Sequence, residues 1–324
     1  MQSEFSTGPR VELEEEFNML LQEGQDDEKA QFLRELHERG ETPREVVALA
    51  SLLRERSKLS PVPGTADIVG TGGDGMNTIN VSTAASLLLS SCGIKIAKHG
   101  NFGATSNKGS ADFLKYLGYS FEMDQEQLEG RLRDVSFAFI LAPMYNSSFA
   151  QFAKARKMLP FKTVFNYLGP LTNPADPSVM MLGVTGKKIS DLYTRYMLLN
   201  SKAGCVVYSN DGMDEISPIT TSNITYVKDG KTEEANFDPS TLLSEKVQLS
   251  DISQLEAEPS FRLTLAGLEG KNKPASEFIS LNAAMALLIS GKYQSVEEAF
   301  MESMRLLKSG YVSEHLKLIV GDRR

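Results

Sequence analysis

From Ala66 onward, short apolar segments of strand length alternate along the chain with longer segments that have helical periodicity. Strands that alternate with helices in this way are typical of a mostly parallel sheet with helices on both faces. In such sheets ligands bind at the carboxyl ends of the strands, so the loops that follow strands should carry the site. The segments are Ile68-Val69, Val81 to Cys92, Ile94 to Ala97, Ala111 to Leu117, Phe137 to Leu141, Val179 to Val184, Ile189 to Asn200 and Cys205 to Tyr208.

The part of the chain before Ala66 has a different pattern. Residues 11–58 have apolar residues at helical spacing, and Thr42 followed by Pro43 predicts a helix start. Prolines and a glycine between Lys58 and Thr65 indicate a linker. We therefore predict an α/β protein with a small all-helical domain, residues 1–61, and a larger α/β domain with a mostly parallel central sheet, residues 62–324. A polar excursion with its own hairpin is expected from Ser222 to about Ser260, and helix from Ser276 to Lys308.

Composition limits the classes of function. The 324 residues carry a formal net charge of −8, which argues against general nucleic-acid binding. No apolar run approaches the roughly 18 residues of a membrane span, and the polar start from Met1 to Arg10 is unlike a signal peptide. Cys92 and Cys205 each lie in an apolar stretch and are interpreted as buried free thiols, which fits a reducing compartment. We expect a soluble, cytoplasmic protein that binds neither nucleic acid nor membrane.

A glycine-rich segment, Gly70-Thr71-Gly72-Gly73-Asp74-Gly75, follows the first predicted strand. Three glycines in four positions allow backbone N–H groups to approach a ligand closely and to adopt positive φ, which suits phosphate. The segment also satisfies the dinucleotide pattern G-x-G-x-x-G, but the next helix does not open inside the glycine run. The following strand ends at Lys98, where a dinucleotide site would place an acid. We therefore predict a phosphate loop, with a simple glycine turn as the alternative.

Two further segments are suited to anions. Asn80-Val81-Ser82-Thr83 is predicted to form a helix N-terminus, whose unpaired N–H groups and positive dipole end favour phosphate. Lys98 to Asp112 contains two lysines, three glycines, His99 and several hydroxyl and amide groups, and a helix follows it. This pattern predicts a mobile loop that closes over an anion, with His99 at the site.

Acidic and basic side chains complete the candidate set. The segment Asp211-Gly212-Met213-Asp214-Glu215 follows a predicted strand, and carboxylates at a strand end can hold Mg²⁺ beside substrate phosphates. Acidic surface pairs are common, so this interpretation depends on the two phosphate segments. Arg156 lies shortly before the segment Phe165 to Pro174, and arginine is suited to binding a carboxylate. Taken alone, Arg156 would be a solvated surface charge.

Together these motifs closely resemble the anthranilate phosphoribosyltransferase family. The resemblance extends from about Gly24 to the end of the chain, and the combination of motifs in this order is highly specific. Related pyrimidine nucleoside phosphorylases share a Lys-His-Gly-Asn loop, but the segment from Asp74 to Thr83 resembles the transferases. The matching segments are Gly70 to Asp74, Thr78, Asn80 to Thr83, Lys98 to Asn101, Gly109 to Asp112, Phe165 to Pro174 and Asp214-Glu215.

The resemblance implies a homodimer whose active site lies at a hinge between the two domains, with a segment near residues 150–172 returning to the helical domain. It implies Mg²⁺ as cofactor and, as substrates, anthranilate and 5-phosphoribosyl-1-pyrophosphate (PRPP). Residues that match the magnesium ligands are Ser82, Asp214 and Glu215, and those that match the anthranilate site are Gly70, Asn101 and Arg156, the last pairing with the carboxylate. Residues in the PRPP-binding segments are Gly70, Gly73, Asp74, Thr78, Asn80, Val81, Ser82, Thr83, Lys98, His99, Gly100, Asn101, Thr105, Ser106 and Ser110.

The chemistry that this resemblance implies needs no dedicated nucleophile or catalytic base. Displacement at the anomeric carbon passes through a cationic, oxocarbenium-like ribose, and the departing pyrophosphate must be stabilised. The amine of anthranilate needs little activation at neutral pH, so positioning can supply most of the rate. We expect Lys98, Asn101 and Arg156 to act through positioning and electrostatics.

Two residues depart from the family pattern where the acceptor is expected. Phe102 stands where the family usually has arginine, and Asn146 stands where it usually has histidine. These departures leave open a family member that uses another aromatic acceptor. A non-catalytic nucleic-acid-binding relative is a further alternative, against which the charge of −8 and the Asp214-Glu215 pair argue. A nucleoside phosphorylase is a more distant one.

Overall fold

The computed structural model describes residues 9–21, 24–103 and 107–321. It begins with three helices, α1 (Pro9–Leu20), α2 (Asp26–Arg39) and α3 (Pro43–Glu55). The predicted start of α3 is confirmed. The Thr42 hydroxyl accepts a hydrogen bond from the Glu45 N–H at 3.3 Å, and the Glu45 carboxylate accepts one from the Thr42 N–H at 2.9 Å. This capping box, with Pro43 in the first turn, fixes where the helix begins.

A single mixed sheet forms the centre of the α/β part. The strand order is β3-β2-β1-β4-β5-β6-β7, and the first five strands in this order form four parallel pairs. The mostly parallel sheet predicted from the sequence is confirmed. The hairpin expected after Ser222 also exists, but β6 pairs antiparallel with β5 and so extends the main sheet. The strands are β1 (Ala66–Gly70), β2 (Ile96–Gly100), β3 (Phe137–Leu141), β4 (Val179–Gly183), β5 (Ala203–Ser209), β6 (Ser222–Lys228) and β7 (Lys231–Phe237).

Helices cover both faces of the sheet. The predicted helical tail consists of two helices, α14 and α15, separated by a turn that contains Gly291. Short 3-10 turns span Gly169–Leu171 and Pro239–Thr241. The helices after β1 are α4 (Val81–Ser91), α5 (Ser110–Leu117), α6 (Gln125–Asp134), α7 (Ala142–Tyr145), α8 (Ser148–Gln151), α9 (Ala153–Lys157), α10 (Phe165–Leu168), α11 (Lys187–Leu199), α12 (Leu249–Ile252), α13 (Ala257–Leu268), α14 (Lys273–Ile289), α15 (Val296–Lys308) and α16 (Tyr311–Val320).

The apolar core follows the two faces of the sheet. Ile68 and Val207 point to the face covered by α4 and α14, whereas Leu182 and Val206 point to the face covered by α3 and α11. The second of these clusters also contains apolar residues of α1, α2, α9 and α10. The segment from Phe152 to Leu171 therefore packs with the N-terminal helices, and the sheet shares that core. The division of the chain at residue 61 stays a prediction, because this cluster crosses it.

Two remaining predictions concern the cysteines and the membrane. Cys205 is buried as predicted, but Cys92 is partly exposed at the end of α4, and neither forms a disulfide in the described residues. Among the helices of the described chain, none combines the length and the apolar character that a membrane crossing needs.

Candidate active site

The turn that carries Asp214 lies directly against the ends of β1 and β4. A β-carbon at Gly70 would overlap the Asp214 carboxylate, and one at Gly183 would overlap the Asp214 carbonyl oxygen. Glycine at these two strand ends is therefore what allows the turn after β5 to approach. The Gly72 N–H donates to the Asp214 carboxylate at 2.5 Å, so the glycine loop and the acidic turn are joined.

Three carboxylates meet at this place. Asp74, Asp214 and Glu215 each offer an oxygen, and these oxygens all lie within 4.8 Å of one another. Burial, with the charge of Asp74 added, raises the pKa of Asp214 to about 6. Burial, together with the charges of Asp214 and Asp74, raises the pKa of Glu215 well above its usual value. Glu215 Oε2 is buried and has no hydrogen-bond partner. A divalent cation would satisfy that oxygen and remove the repulsion.

Asp74 is a candidate metal ligand that the sequence analysis missed. The motif match placed Asp74 with the pyrophosphate, whereas the structure places its carboxylate with Asp214 and Glu215. Its position directly after a glycine loop at a strand end was the available signal. Ser82, the third predicted ligand, lies partly exposed in the first turn of α4. The Thr78 hydroxyl faces the same group of acids, since its hydrogen bond lowers the pKa of Glu215 against the effect of burial.

Lys98 is buried inside the sheet, and the prediction that it begins a mobile loop is wrong. Lys98, His99 and Gly100 are the last residues of β2, which extends three residues beyond its predicted end at Ala97. The Lys98 ammonium donates to the Ile68 carbonyl oxygen. Burial lowers its pKa, while the negative charges of Asp67 and Glu215 oppose that shift. Lys98 therefore stands between the acidic cluster and a second buried acid.

That second acid, Asp67, is a residue that the sequence analysis did not single out. It is fully buried in β1, and its Oδ2 accepts hydrogen bonds from Asn173 Nδ2 at 2.8 Å and from the His99 N–H at 3.3 Å. Burial raises its pKa to about 6, and Lys98 and these hydrogen bonds oppose the rise. Asn173 also donates to the Ala97 carbonyl at 2.7 Å, so the segment after the Gly169–Leu171 turn is fixed to β2.

His99 has a structural position. Its Nδ1 lies 3.2 Å from the Gly169 carbonyl oxygen, and because a carbonyl only accepts, Nδ1 carries the proton. Burial, with the charge of Lys98 added, lowers the pKa of His99 to about 4. The ring is therefore neutral at physiological pH and links β2 to the turn Gly169–Leu171.

The side chains of Asp112 and Lys108 hold the described parts of the loop after β2. Asp112 Oδ2 accepts hydrogen bonds from the N–H groups of Gly103 at 2.7 Å and Gly109 at 2.9 Å. Lys108 Nζ donates to Asn77 Oδ1 at 2.8 Å and to the Gln254 carbonyl at 2.7 Å. Asn101 is exposed at the start of the loop, and its carbonyl accepts from Ser110 Oγ at 3.4 Å. Two predicted site residues of this loop, Thr105 and Ser106, lie outside the described residues.

The N-terminus of α4 presents its N–H groups without a side-chain cap. Asn80 is the residue before the helix, but its amide donates to the Lys108 carbonyl at 2.8 Å and makes no capping hydrogen bond. Its Oδ1 is buried and has no partner. Val81, Ser82 and Thr83 form the first turn; the Val81 N–H donates to the Ile79 carbonyl at 2.7 Å, so the N–H groups of Ser82 and Thr83 are the ones suited to an anion.

Arg156 lies on the other side of the site, in α9. Its guanidinium stands 5.6 Å from the centre of the Phe165 ring, and burial lowers its pKa. No salt bridge to Arg156 is found within the described ranges of the chain. It lines a cavity of about 560 Å³ together with Ala153, Lys157, Leu159, Pro160, Phe161, Lys162, Thr163 and Asn166.

Of the two residues that depart from the family pattern, Asn146 is buried and Phe102 is exposed. Asn146 is buried, its amide donates to the Leu53 carbonyl at the end of α3, and its Oδ1 accepts from the Ser148 N–H at 3.0 Å. The Asn146 side chain is therefore used to hold the two parts of the molecule together. Phe102 is 39% exposed and makes an edge-on contact with Phe121, with ring centres 5.9 Å apart.

Comparison with known proteins identifies the family. A family profile described as "Glycosyl transferase family, a/b domain" matches residues 63–312. The anthranilate phosphoribosyltransferase of Picrophilus torridus is 42% identical over 292 residues, which cover 90% of this chain and 89% of that protein. The Thermus thermophilus anthranilate phosphoribosyltransferase structure superposes with a TM-score of 0.87 at 30% identity, covering 97% and 95% of the two chains.

A second solved structure, the Saccharomyces cerevisiae anthranilate phosphoribosyltransferase in complex with PRPP and Mg, has a TM-score of 0.85 at 29% identity, covering 96% and 92%. Sequence identity above 30% over nine-tenths of both chains, the family profile and the shared fold all agree. The chain described here therefore belongs to the anthranilate phosphoribosyltransferase family.

Proposed function

We infer that this chain transfers the 5-phosphoribosyl group from PRPP to anthranilate, giving N-(5-phosphoribosyl)anthranilate and pyrophosphate, in tryptophan biosynthesis. The observation that carries this inference is the meeting of a glycine loop, three carboxylates and the buried Lys98 at the strand ends. That arrangement suits a magnesium-bound pyrophosphate. The identity of the acceptor, anthranilate, is inferred from the family to which the chain belongs.

The donor is bound by residues from four segments around the strand ends. Backbone N–H groups of the glycine loop and of the first turn of α4 face the phosphates; the α4 N-terminus has no side-chain cap, and the Gly73 N–H makes no hydrogen bond within the described residues. Asn80 and the loop after β2 lie on the other side of the donor site, where Asn80 Oδ1 is buried and has no hydrogen-bond partner. The donor-binding set is Gly70, Gly73, Asp74, Thr78, Asn80, Val81, Ser82, Thr83, Lys98, His99, Gly100, Asn101, Thr105, Ser106 and Ser110.

Mg²⁺ is the cofactor, and the residues present fit it. Asp74, Asp214 and Glu215 provide hard oxygen ligands within 4.8 Å of one another, and Ser82, in the first turn of α4, matches the remaining ligand of the family pattern. When bound, Mg²⁺ neutralises charge on the pyrophosphate leaving group. The carboxylates bind and orient it, and their raised pKa values mean that binding displaces protons.

The rest of the chemistry is positioning by this chain's own groups. Lys98 is fixed by the Ile68 carbonyl and Asp67, so its charge is held in place before the donor arrives. Asn101 is exposed at the mouth of the loop, where it can orient the amine of the acceptor. No group with a raised or lowered pKa is needed to activate that amine, because an aromatic amine is unprotonated at neutral pH.

Arg156 is placed to bind the anthranilate carboxylate. Its guanidinium is half-buried above the Phe165 ring, faces a cavity and has no acidic partner in the part of the chain that is described. We expect Arg156→Ala to raise the KM for anthranilate at least tenfold, because a charge-assisted bidentate pair is lost, and to leave the KM for PRPP nearly unchanged. Equal increases in both KM values would remove this role from Arg156.

The decisive assay for the function is the loss of anthranilate fluorescence when PRPP is added, with Mg²⁺ present and with Mg²⁺ chelated. Loss that requires both PRPP and Mg²⁺ supports the function and the cofactor together. Intact fluorescence under every condition would contradict the function. Replacing anthranilate with another aromatic amine at the same concentration tests the alternative acceptor that Phe102 leaves open.

We further propose a cytoplasmic homodimer. The acidic charge of −8 and the two free thiols support a reducing, aqueous compartment and argue against nucleic acid or membrane as partners. Exposed apolar side chains outside the site, among them Met19 and Met158, support an interface on the helical part. Sedimentation at micromolar concentration measures the oligomeric state, and a monomer would contradict this proposal.

A further inference from the structure

Lys162 reaches from the acceptor side of the site to the glycine loop. It lies between α9 and α10, on the segment that packs with the N-terminal helices. Its Nζ is 3.8 Å from the position that a β-carbon of Gly73 would occupy, and among the described residues no other heavy atom outside the chain neighbours of Gly73 lies within 4 Å of that position. Within the described part of the chain, the space above Gly73 therefore faces one functional group, the Lys162 ammonium.

The ammonium of Lys162 is not committed to a carboxylate. Its side chain is exposed, and no salt bridge to it is present within residues 9–21, 24–103 and 107–321. The other two lysines of the donor region differ in this respect. Lys98 is buried beside Asp67 and Glu215, and Lys108 donates to Asn77 and to the Gln254 carbonyl. Lys162 thus supplies a cation that the folded protein itself does not use.

Gly73 has a backbone conformation that suits an anion. Gly72 and Gly73 have φ of +69° and +76°, a backbone conformation that glycine adopts without strain and that lets a ligand approach the loop closely. The Gly72 N–H donates to Asp214, whereas the Gly73 N–H makes no hydrogen bond within the described residues. An unused N–H group on a loop that the Lys162 ammonium approaches suits a phosphate oxygen.

We propose that Lys162 binds a phosphate of the donor over Gly73, so that the segment carrying Arg156 supplies one ligand of the donor site. This rests on the function proposed above. It follows that the donor is held from both sides of the cleft, by the strand ends and by the segment between α9 and α10. Substitution of Lys162 should weaken binding of the donor and leave binding of the acceptor unchanged, although Lys162 lines the same cavity as Arg156.

The test compares K162Q, K162R and K157Q. Lys157 is the matched control, because it lines the same cavity and loses the same charge but does not lie within 4 Å of the space over Gly73. Binding of PRPP with Mg²⁺ is measured by calorimetry without anthranilate, and both KM values are measured by fluorescence. A charge-assisted hydrogen bond predicts that K162Q weakens PRPP binding about 10-fold to 100-fold. K157Q should change PRPP binding less than about threefold, and K162R should recover most of the affinity.

Each outcome decides the proposal. An increase in the KM of K162Q for PRPP, with no increase in its KM for anthranilate, supports the proposal. Thermal unfolding of K162Q should match that of the wild type, because the Lys162 side chain is exposed. Equal PRPP affinity in K162Q and K157Q would overturn the proposal and leave the function intact. An increase confined to the anthranilate KM would also overturn it. Wild-type protein that binds neither PRPP nor anthranilate would overturn the function and this proposal together.

Discussion

At the residue scale, the missing β-carbons at the ends of β1 and β4 decide how close Asp214 can come to the glycine loop. The Gly183 position shows this most directly, since its β-carbon would overlap the Asp214 carbonyl oxygen, which belongs to the backbone and cannot rotate away. Both strands end at the same edge of the sheet, in register at Gly70 and Gly183. The position of the metal ligands therefore depends on two residues that have no side chain.

Gly183→Ala should displace the Asp214 turn. We expect a loss of about 1–3 kcal/mol in the free energy of unfolding, as for other overpacked sites, and weaker Mg²⁺-dependent binding of PRPP. Urea unfolding and calorimetry measure the two effects. Gly186→Ala is the matched control, because a β-carbon there meets nothing within 4 Å. Similar losses in the two variants would show that the close approach at Gly183 is not the cause.

A second prediction at this scale concerns the buried pair of Asp67 and Lys98. Asp67→Asn removes a fully buried negative charge and leaves the Lys98 ammonium without it. Removing one partner of a buried ion pair lowers the free energy of unfolding by about 3–5 kcal/mol, whereas replacing both partners with uncharged residues lowers it less. We therefore expect Asp67→Asn to lower the urea midpoint strongly and Asp67→Asn with Lys98→Met to recover part of the loss. Asp134→Asn, in an exposed ion pair with Arg133, should change stability little.

Residues differ in how far the sequence could reveal their roles. Asp214 and Glu215 were predictable because consecutive carboxylates directly follow a strand. Asp67 was not, because it lies inside a strand, where an isolated charge would be too costly to bury. Its partner Lys98 lies on the neighbouring strand, and that neighbour relation is a property of the fold. For the same reason β2 was expected to end at Ala97, before Lys98, whereas the pairing of Lys98 with Asp67 allows both residues to be buried in the sheet.

At the element scale, β2 carries two ionisable residues, Lys98 and His99, through the interior of the sheet. The parallel strands, the helix starting at Thr42 and the hairpin after Ser222 were all predictable from local patterns of apolar and capping residues. The attachment of that hairpin to β5 was not, because strand pairing over this distance depends on which edge the preceding strands leave open. The burial of His99 depends in the same way on the Gly169–Leu171 turn, which is distant in sequence.

His99 makes the stability of this element depend on pH. In the folded protein its pKa is lowered from 6.5 to about 4, so the folded state binds the proton less tightly than the unfolded chain. The contribution of neutral His99 to the free energy of unfolding is therefore fully present above pH 6.5. It is lost as the pH falls from 6.5 towards 4, and the loss amounts to at most about 3 kcal/mol. Urea unfolding of wild type and His99→Gln between pH 7.5 and pH 4 isolates this effect, because glutamine keeps a donor for Gly169. A pH-independent difference between the two proteins would contradict it.

At the scale of the whole molecule, the N-terminal helices and the sheet share one apolar cluster. Phe17, Leu52, Leu182 and Tyr196 belong to it, and Arg54 adds a salt bridge to Asp176 at 2.9 Å and a hydrogen bond to the Tyr196 hydroxyl at 3.0 Å. Sequence patterns predicted both parts but not their joint core, because periodicity identifies a buried face without naming what covers it. The cavity that Arg156 lines, proposed above as the acceptor site and called the acceptor cavity below, is formed by a segment that belongs to this joint core.

A shared core predicts that the two parts unfold together. Leu52 is fully buried in α3, and Leu52→Ala should cost about 2–5 kcal/mol because the cavity cannot collapse between α3 and α11. If the molecule unfolds as one unit, hydrogen exchange should speed up by the same factor in α3, α11 and β5, and fluorescence and circular dichroism should give coincident urea transitions. Met301→Ala is the control, since that side chain is 67% exposed on α15. Faster exchange confined to α1, α2 and α3 would instead show that the helical part unfolds alone and that the acceptor cavity can open without the sheet.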